Sequence, residues 1–174
     1  MKVSMEDLKK LREKTSAGVS DCRRALIEAK GDFSKAEEYL RKRGLEIAQS
    51  KKERVVFQGR IESYVHLGNK IGVLVEINCE TDFVAKNEKF IQFAKDIAMQ
   101  IAAANPQYLK IEDVPKEALK GEKDHEAFYQ EHCLIKQKFI KDQNITINDY
   151  LVDMIAKTGE NIVINRFTRY QLGK

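Results

Sequence analysis

The chain has 174 residues and a mass of 20.0 kDa, enough for one ordinary domain or for a small module joined to a modest domain. A content of 43% hydrophobic and 33% charged residues excludes wholesale disorder, and no apolar run approaches the ~18 residues of a transmembrane helix. The net charge of +4 is uneven, because residues 1–54 hold 15 Lys+Arg against 10 Asp+Glu. No signal-peptide pattern opens the chain, so we expect a cytoplasmic protein with no membrane partner.

The cysteines and histidines form no pattern that predicts a chemical site. Cys22, Cys79 and Cys133 are odd in number and far apart, which is typical of free thiols in a reducing compartment. His125 and His132 could share a helix face, but two ligands without a third make a poor metal site. We therefore expect neither a metal nor a cofactor.

Residues 1–40 predict a three-helix module. Ser4 precedes the first helix as a cap, and residues 15–18 break the pattern before the second helix. Gly31 is predicted to end the second helix and Gly44 the third. Residues 41–54 are rich in charge and are interpreted as a linker that is partly helical.

The pattern changes to strands after residue 54. Alternating apolar residues up to Leu67, the turn signal Gly68-Asn69, and a second run ending at Cys79 predict a β-hairpin. The continuous run at residues 73–75 predicts that the second strand is buried on both faces.

Three helices and a strand are predicted for the rest of the chain. Apolar residues from Phe90 to Ile101 recur at helical spacing, and a second helix is expected from Pro115 towards Leu134. A third covers residues 147–157, and residues 161–170 alternate like a strand. Residues 55–174 therefore predict an α+β domain, a three-stranded antiparallel sheet packed on helices.

The segment at residues 79–87 joins the buried strand to the long helix and has two interpretations. In one, Thr81 or Asp82 caps the helix and Phe83 seals the edge of the core. In the other, Asp82 and Phe83 are displayed on a rigid corner for contact with a partner. An enzyme built on Cys79, His66 and Asp82 is a weaker alternative, because no motif supports it.

Three blocks of sequence resemble the bacterial elongation factor Ts family. They are LREKTSAGVSDCRRAL at residues 11–26, NCETDFVAKN at residues 78–87, and GENI at residues 159–162 followed by Arg166 and Phe167. The blocks span nearly the whole chain in the family's order. The resemblance implies a translation factor that binds elongation factor Tu and promotes exchange of GDP for GTP without covalent chemistry.

The resemblance also implies which residues meet the GTPase. The N-terminal helices are similar to a ubiquitin-associated module that docks on the nucleotide-binding domain, with Arg12, Val19, Ser20 and Arg23 at or near the contact. The family often has methionines where this chain has Val19 and Ser20. A second contact is implied beside the magnesium site of the GTPase, made by Thr81, Asp82, Phe83 and Val84.

Length and charge lead to two further expectations. The chain has room for one core unit where longer family members have two, and the resemblance to short members implies a homodimer through the C-terminal strand or the sheet face. The alternative function is a basic module that binds nucleic acid or the ribosome through residues 41–54. That stretch lacks aromatic residues for base stacking, so no direct nucleic-acid contact is expected.

Overall fold

The computed structural model describes residues 3–15 and 17–173; Met1, Lys2, Ser16 of the predicted break, and Lys174 lie outside the description. The chain forms two compact units, one containing Met1–Arg54 and Val152–Asn161, the other Val55–Leu151 and Ile162–Lys174. Within the described residues, no helix is both long and apolar enough to cross a membrane.

Helices and strands follow one another along both units. In chain order they are α1 (Met5–Thr15), α2 (Val19–Glu28), α3 (Phe33–Lys51), β1 (Gln58–Val65), β2 (Ile71–Cys79), α4 (Asp82–Ala85), α5 (Glu88–Ala104), α6 (His125–His132), β3 (Lys138–Phe139), β4 (Asp142–Thr146), α7 (Ile147–Thr158) and β5 (Ile162–Gln171). Short 3-10 turns lie at Ile111–Asp113, Lys116–Leu119 and Leu134–Lys136.

Helices α1 to α3 confirm the predicted three N-terminal helices. The Ser4 hydroxyl accepts a hydrogen bond from the Asp7 backbone N–H at 3.0 Å, and the Asp32 carboxylate accepts one from the Lys35 N–H at 3.1 Å. These caps satisfy backbone donors that the first turn of a helix leaves without partners. The three helices share a small core of Leu8, Leu11, Cys22, Ala25, Leu26 and Ala36.

The prediction that Gly44 ends the third helix is wrong, because α3 continues through it to Lys51. Gly44 is buried, and a Cβ there would lie 3.6 Å from Val152 Cγ1 and 3.7 Å from Ala156 Cβ of α7. The glycine therefore leaves room for a neighbouring helix and does not terminate its own. Most of residues 41–54, expected to be a linker, consequently belongs to a helix.

Strands β1, β2 and β5 form an antiparallel sheet in the order β1-β2-β5, which confirms the predicted three-stranded sheet. In the β1-β2 hairpin Gln58 pairs with Cys79 at one end and Val65 with Gly72 at the other. The turn between them has positive φ at Gly68 and Asn69, which glycine and asparagine tolerate best.

Only one face of β2 is buried, so the prediction of burial on both faces is wrong. Val73, Val75, Ile77 and Cys79 are buried on the inner face, where α5 packs. Leu74, which points to the opposite face, is 50% exposed. An antiparallel sheet can leave one face in solvent, and here the apolar run conceals the ordinary alternation of a half-buried strand.

The region after α5 is less regular than predicted. The helix expected from Pro115 to Leu134 is replaced by 3-10 turns and the eight-residue α6. Gly121 has a φ of +93° between them, which is incompatible with a continuing right-handed helix. The small β3-β4 hairpin was not predicted, whereas α7 and β5 confirm the last predicted helix and strand.

A buried carboxylate joins α5 to this irregular region. Asp96 on α5 is only 5% exposed. Its oxygens accept hydrogen bonds from Gln92 Nε2 at 2.9 Å, Lys141 Nζ at 2.6 Å and Tyr150 Oη at 2.9 Å. The Phe93 and Tyr150 rings also meet edge to face at 4.9 Å. A buried charge with this many partners holds α5, the β3-β4 turn and the start of α7 in one arrangement.

We expect Asp96→Ala to lower the free energy of unfolding by about 3 kcal/mol, because Lys141 and Tyr150 lose a shared acceptor. Urea denaturation followed by circular dichroism measures the change. The matched control is Asp153→Ala, which removes an exposed partner of Lys157 and is expected to cost less than about 1 kcal/mol. Equal effects of the two substitutions would contradict the structural role of Asp96.

Candidate functional site

A sharp corner between β2 and α5 carries the segment singled out in the sequence. The strand ends at Cys79, the four-residue helix α4 follows, and α5 starts at Glu88. Thr81 caps α4 by accepting a hydrogen bond from the Val84 N–H at 3.4 Å, and Asn87 caps α5 by accepting one from the Lys89 N–H at 2.9 Å. Two caps within seven residues, 81–87, fix the backbone of the corner.

Phe83 stands at the tip of this corner with 82% of its surface exposed. It therefore does not seal the edge of the core, and that interpretation of Phe83 is wrong. Thr81 does cap a helix, but that helix is the short α4; the long helix α5 is capped by Asn87, so the prediction that Thr81 or Asp82 caps the long helix is wrong. A phenylalanine held in water by a capped helix keeps a large apolar surface available for burial against another molecule.

The carboxylate next to Phe83 is held in place by a cation. Lys86 Nζ lies 2.7 Å from Asp82 Oδ2, one helical turn away. The hydrogen bond from Lys86 lowers the pKa of Asp82 below its ordinary value, and the charge of the lysine acts in the same direction. Asp82 is therefore ionised at neutral pH and oriented along α4.

The buried thiol of Cys79 anchors the base of the corner. Its Sγ donates a weak hydrogen bond to the Thr81 carbonyl oxygen at 3.2 Å, and the residue has no exposed surface. His66 follows Val65 at the opposite end of the hairpin, where its Nδ1 lies 3.0 Å from Tyr64 Oη. The structure thus does not bring Cys79, His66 and Asp82 together as a catalytic set.

The other predicted contact residues lie around the turn between α1 and α2. Arg12 is in the last turn of α1, while Val19, Ser20 and Arg23 are in the first two turns of α2. All four are exposed, and Val19 and Arg23 share a helix face. They form a mixed apolar and basic surface of the first unit.

The chain as a whole is similar to known proteins. The family model described as "Elongation factor TS" matches residues 4–127. The chain is 48% identical over 195 residues to elongation factor Ts of Caldanaerobacter subterraneus subsp. tengcongensis, covering 99% of this chain and 98% of that protein. This chain belongs to the elongation factor Ts family.

Two further elongation factor Ts proteins give the same result. The protein of Carboxydothermus hydrogenoformans is 48% identical over 195 residues, covering 99% of this chain and 90% of the relative. That of Syntrophus aciditrophicus is 46% identical over 197 residues, covering 100% and 98%. The alignments are longer than the 174 residues of this chain, so the relatives carry segments with no counterpart here. Elongation factor Ts proteins are translation factors that act in guanine-nucleotide exchange.

Asn161 is a residue of the third elongation factor Ts block whose role the sequence did not indicate. It is buried, and its Nδ2 donates to the Lys52 carbonyl at 3.2 Å and to the Arg54 carbonyl at 2.8 Å. These bonds fix the chain that leaves α3 within the first unit. The periodicity of the sequence could not predict these hydrogen bonds, because the carbonyls that Asn161 binds are more than a hundred positions away in the chain.

Replacing Lys86 by Gln is expected to raise the pKa of Asp82 towards its ordinary value, because the cation that stabilises the carboxylate is lost. Carbon-13 NMR of the aspartate carboxyl groups measures the shift. A carboxyl group whose pKa is lower in the folded state than in the unfolded state stabilises the fold at any pH above its unfolded-state pKa. This stabilisation is lost as the pH falls through the folded-state pKa. The difference between variant and wild type should therefore vanish in acid. An unchanged Asp82 titration would contradict the ion pair, and Lys89→Gln provides a nearby control.

Proposed function

We propose that this chain binds elongation factor Tu carrying GDP and accelerates release of the nucleotide through the Asp82-Phe83 corner. Membership of the elongation factor Ts family supports the partner and the exchange reaction. The observation that carries the role of the corner is Phe83, which is 82% exposed on a backbone fixed by two caps. We place this activity in the cytoplasm, where translation takes place.

The proposed mechanism uses the strict geometry of magnesium. In GTPases Mg²⁺ bridges nucleotide phosphates and protein oxygens, and it requires near-octahedral coordination at about 2.1 Å. An aromatic ring inserted between neighbouring elements of the GTPase displaces those oxygens. Small displacements of these oxygens weaken the binding of Mg²⁺, and the nucleotide phosphates are then bound less tightly. Thr81 and Val84 serve the insertion by fixing the turn that carries Phe83, while Asp82 contributes a fixed negative charge.

Thermodynamic linkage limits what such a factor does. If the factor weakens nucleotide binding, nucleotide must weaken factor binding by the same ratio. The factor therefore leaves the equilibrium between the GDP and GTP forms unchanged and lowers the barrier between them. No bond is made or broken in the protein, so exchange needs no nucleophile and no resident metal.

The N-terminal surface supplies a second contact in this proposal. Arg12 and Arg23 offer two cations, and Val19 an exposed apolar side chain, to the nucleotide-binding domain of the GTPase. Two contacts on one chain raise the effective concentration of the second once the first has formed. The corner then acts on a partner that the module already holds.

Phe83→Ala should lower the maximal rate of GDP release by at least about 30-fold, since it removes the inserted ring. The measurement is stopped-flow release of a fluorescent GDP analogue from elongation factor Tu at saturating factor. Asp82→Ala is expected to weaken exchange less.

The matched control is Leu67→Ala, which removes another large apolar side chain, 91% exposed at the far end of the hairpin. Thermal unfolding should be unchanged in Phe83→Ala, because the ring contributes almost no buried surface. Wild-type protein that fails to accelerate release from a cognate GTPase would overturn the proposed function.

The outer face of the sheet supports the proposal that two copies of the chain form a homodimer. Large apolar side chains on or next to this face are exposed, namely Ile61, Val65, Leu74, Tyr170 and Leu172. Their face is set by the pairing register, which places Leu74 between Ser63 and Thr168. A two-fold axis through such a face makes the same patch complementary to itself.

Polar groups limit the patch on one side. Arg166 Nε lies 2.7 Å from Glu76 Oε2, and Asn165 Nδ2 lies 3.1 Å from Glu76 Oε1. The hydrogen bond from Arg166 is the main cause that lowers the pKa of Glu76. An apolar centre with a charged margin is the usual composition of a stable protein interface.

Leu74→Glu is expected to convert the dimer into a monomer, because it places a charge in the centre of the buried patch. Multi-angle light scattering at micromolar concentration measures the mass. Met5→Glu is the control, since Met5 is also an exposed large apolar residue but lies in the first turn of α1, where an acidic side chain is tolerated. A wild-type monomer under these conditions would rule out the homodimer.

The alternative of a nucleic-acid or ribosome contact through residues 41–54 receives less support. Within that stretch Arg43 pairs with Glu46 at 2.8 Å, and Lys42 pairs with Glu38 at 2.9 Å. These acids reduce the positive potential of the helix surface. Binding of RNA that weakens steeply with salt would favour this alternative over our proposal.

A further inference from the structure

A second phenylalanine lies at the same end of the sheet as the corner. Phe57 is 85% exposed and immediately precedes β1, whose first residue Gln58 pairs with Cys79 at the end of β2. Antiparallel partners lie only about 5 Å apart. Phe57 is therefore close to the end of β2, where the chain enters the corner. Helix α4, which carries Phe83, also contacts β1. The register therefore brings two exposed aromatic side chains to one edge of the same unit.

The backbone that carries Phe57 is fixed. Gly59, two residues on, has a φ of +150° and approaches β2 so closely that a Cβ would lie 2.2 Å from the Ile77 carbonyl oxygen. Asn78 Nδ2 donates to the Gln58 carbonyl oxygen at 3.4 Å. A side chain other than hydrogen at position 59 would force the strands apart. Phe57 thus immediately precedes a strand whose position against β2 is fixed by the close approach of Gly59 and by the hydrogen bond from Asn78.

Phe57 is separated from the outer-face patch proposed for dimerisation. Between Phe57 and Ile61 the strand has Gly59, which has no side chain, opposite the polar Asn78. Ile61 itself is opposite Glu76, the centre of the polar margin. Four residues of strand place Phe57 about 13 Å from Ile61 along β1. The apolar surface is therefore interrupted towards the dimer patch, whereas the paired ends of β1 and β2 and the contact of α4 with β1 place Phe57 at the same end of the sheet as the corner.

We propose that Phe57, with the exposed Val55 beside it, is a second anchor for the GTPase and extends the contact made by Phe83. This inference rests on the proposed exchange function and assigns Phe57 a different part in it. Phe83 acts on the magnesium site and determines the maximal rate. Phe57 buries its ring against the GTPase surface next to that site and determines affinity. A partner that bears an apolar cleft at its magnesium site and an apolar shelf beside it would bind both rings.

The test is the dependence of GDP-analogue release on factor concentration, measured for the full-length chain. In Phe57→Ala the concentration for half-maximal acceleration should rise by about tenfold, while the maximal rate stays within about twofold of wild type. Phe57→Leu should restore most of the affinity because it retains apolar surface. Leu67→Ala should leave both quantities unchanged.

The outcomes separate this proposal from the one on which it rests. An unchanged half-maximal concentration in Phe57→Ala, with wild-type acceleration intact, overturns the second anchor alone. If the measured mass of Phe57→Ala falls from dimer to monomer and the half-maximal concentration is unchanged, the ring contacts a second copy of the chain. That result also overturns the second anchor. Absence of acceleration by the wild-type protein refutes the exchange function and the anchor together.

Discussion

The packing of α5 on the inner face of the sheet is the constraint on which the rest of the second unit depends. Phe90, Phe93, Ile97 and Ile101 project from one side of α5 and are fully buried. Each large apolar side chain removed from water contributes roughly 1.5–3 kcal/mol, so this layer supplies much of the unit's stability. The chain must turn from β2 into a helix that covers the same strand. It has only residues 80–87 in which to do so, and these residues form the corner.

A short connection explains why the corner can display a phenylalanine at all. A long loop would let Phe83 fold back onto apolar surface, and ordering it on binding would cost conformational entropy. Here Cys79 is buried at one end of the connection and Phe90 at the other. Between them, Thr81 caps α4 and Asn87 caps α5. The energetic cost of an exposed aromatic ring is thus offset by core burial on both sides of it.

The sequence predicted the elements whose pattern is local and missed those decided by distant neighbours. The hairpin, α5, α7 and β5 follow from alternation, helical spacing and turn residues. Gly44 was misread because its signal is that of a helix end, whereas its cause is the approach of α7. Leu74 was placed in the core because a run of apolar residues does not say how many faces are covered. Spacing predicts a cap at Thr81 or Asp82, but the separate α4 that Thr81 caps, the cap of α5 at Asn87 and the exposure of Phe83 required the three-dimensional structure.

Exposed apolar side chains lie on two surfaces, the outer face of the sheet and the corner that carries Phe83, and the two proposed contacts require different properties of them. A dimer patch has to be broad and self-complementary, and it tolerates a gently curved sheet face. A wedge for nucleotide release has to be small and stiff, because its action depends on displacement at a metal site with little tolerance. In the function proposed above, the face of the sheet serves the dimer and the end of its central strand serves nucleotide release. Since Gly59 and Asn78 interrupt the apolar surface between them, a substitution on one surface should leave the other intact. Under this proposal, the separation allows the dimer and the exchange rate to be tested as independent properties of the same chain.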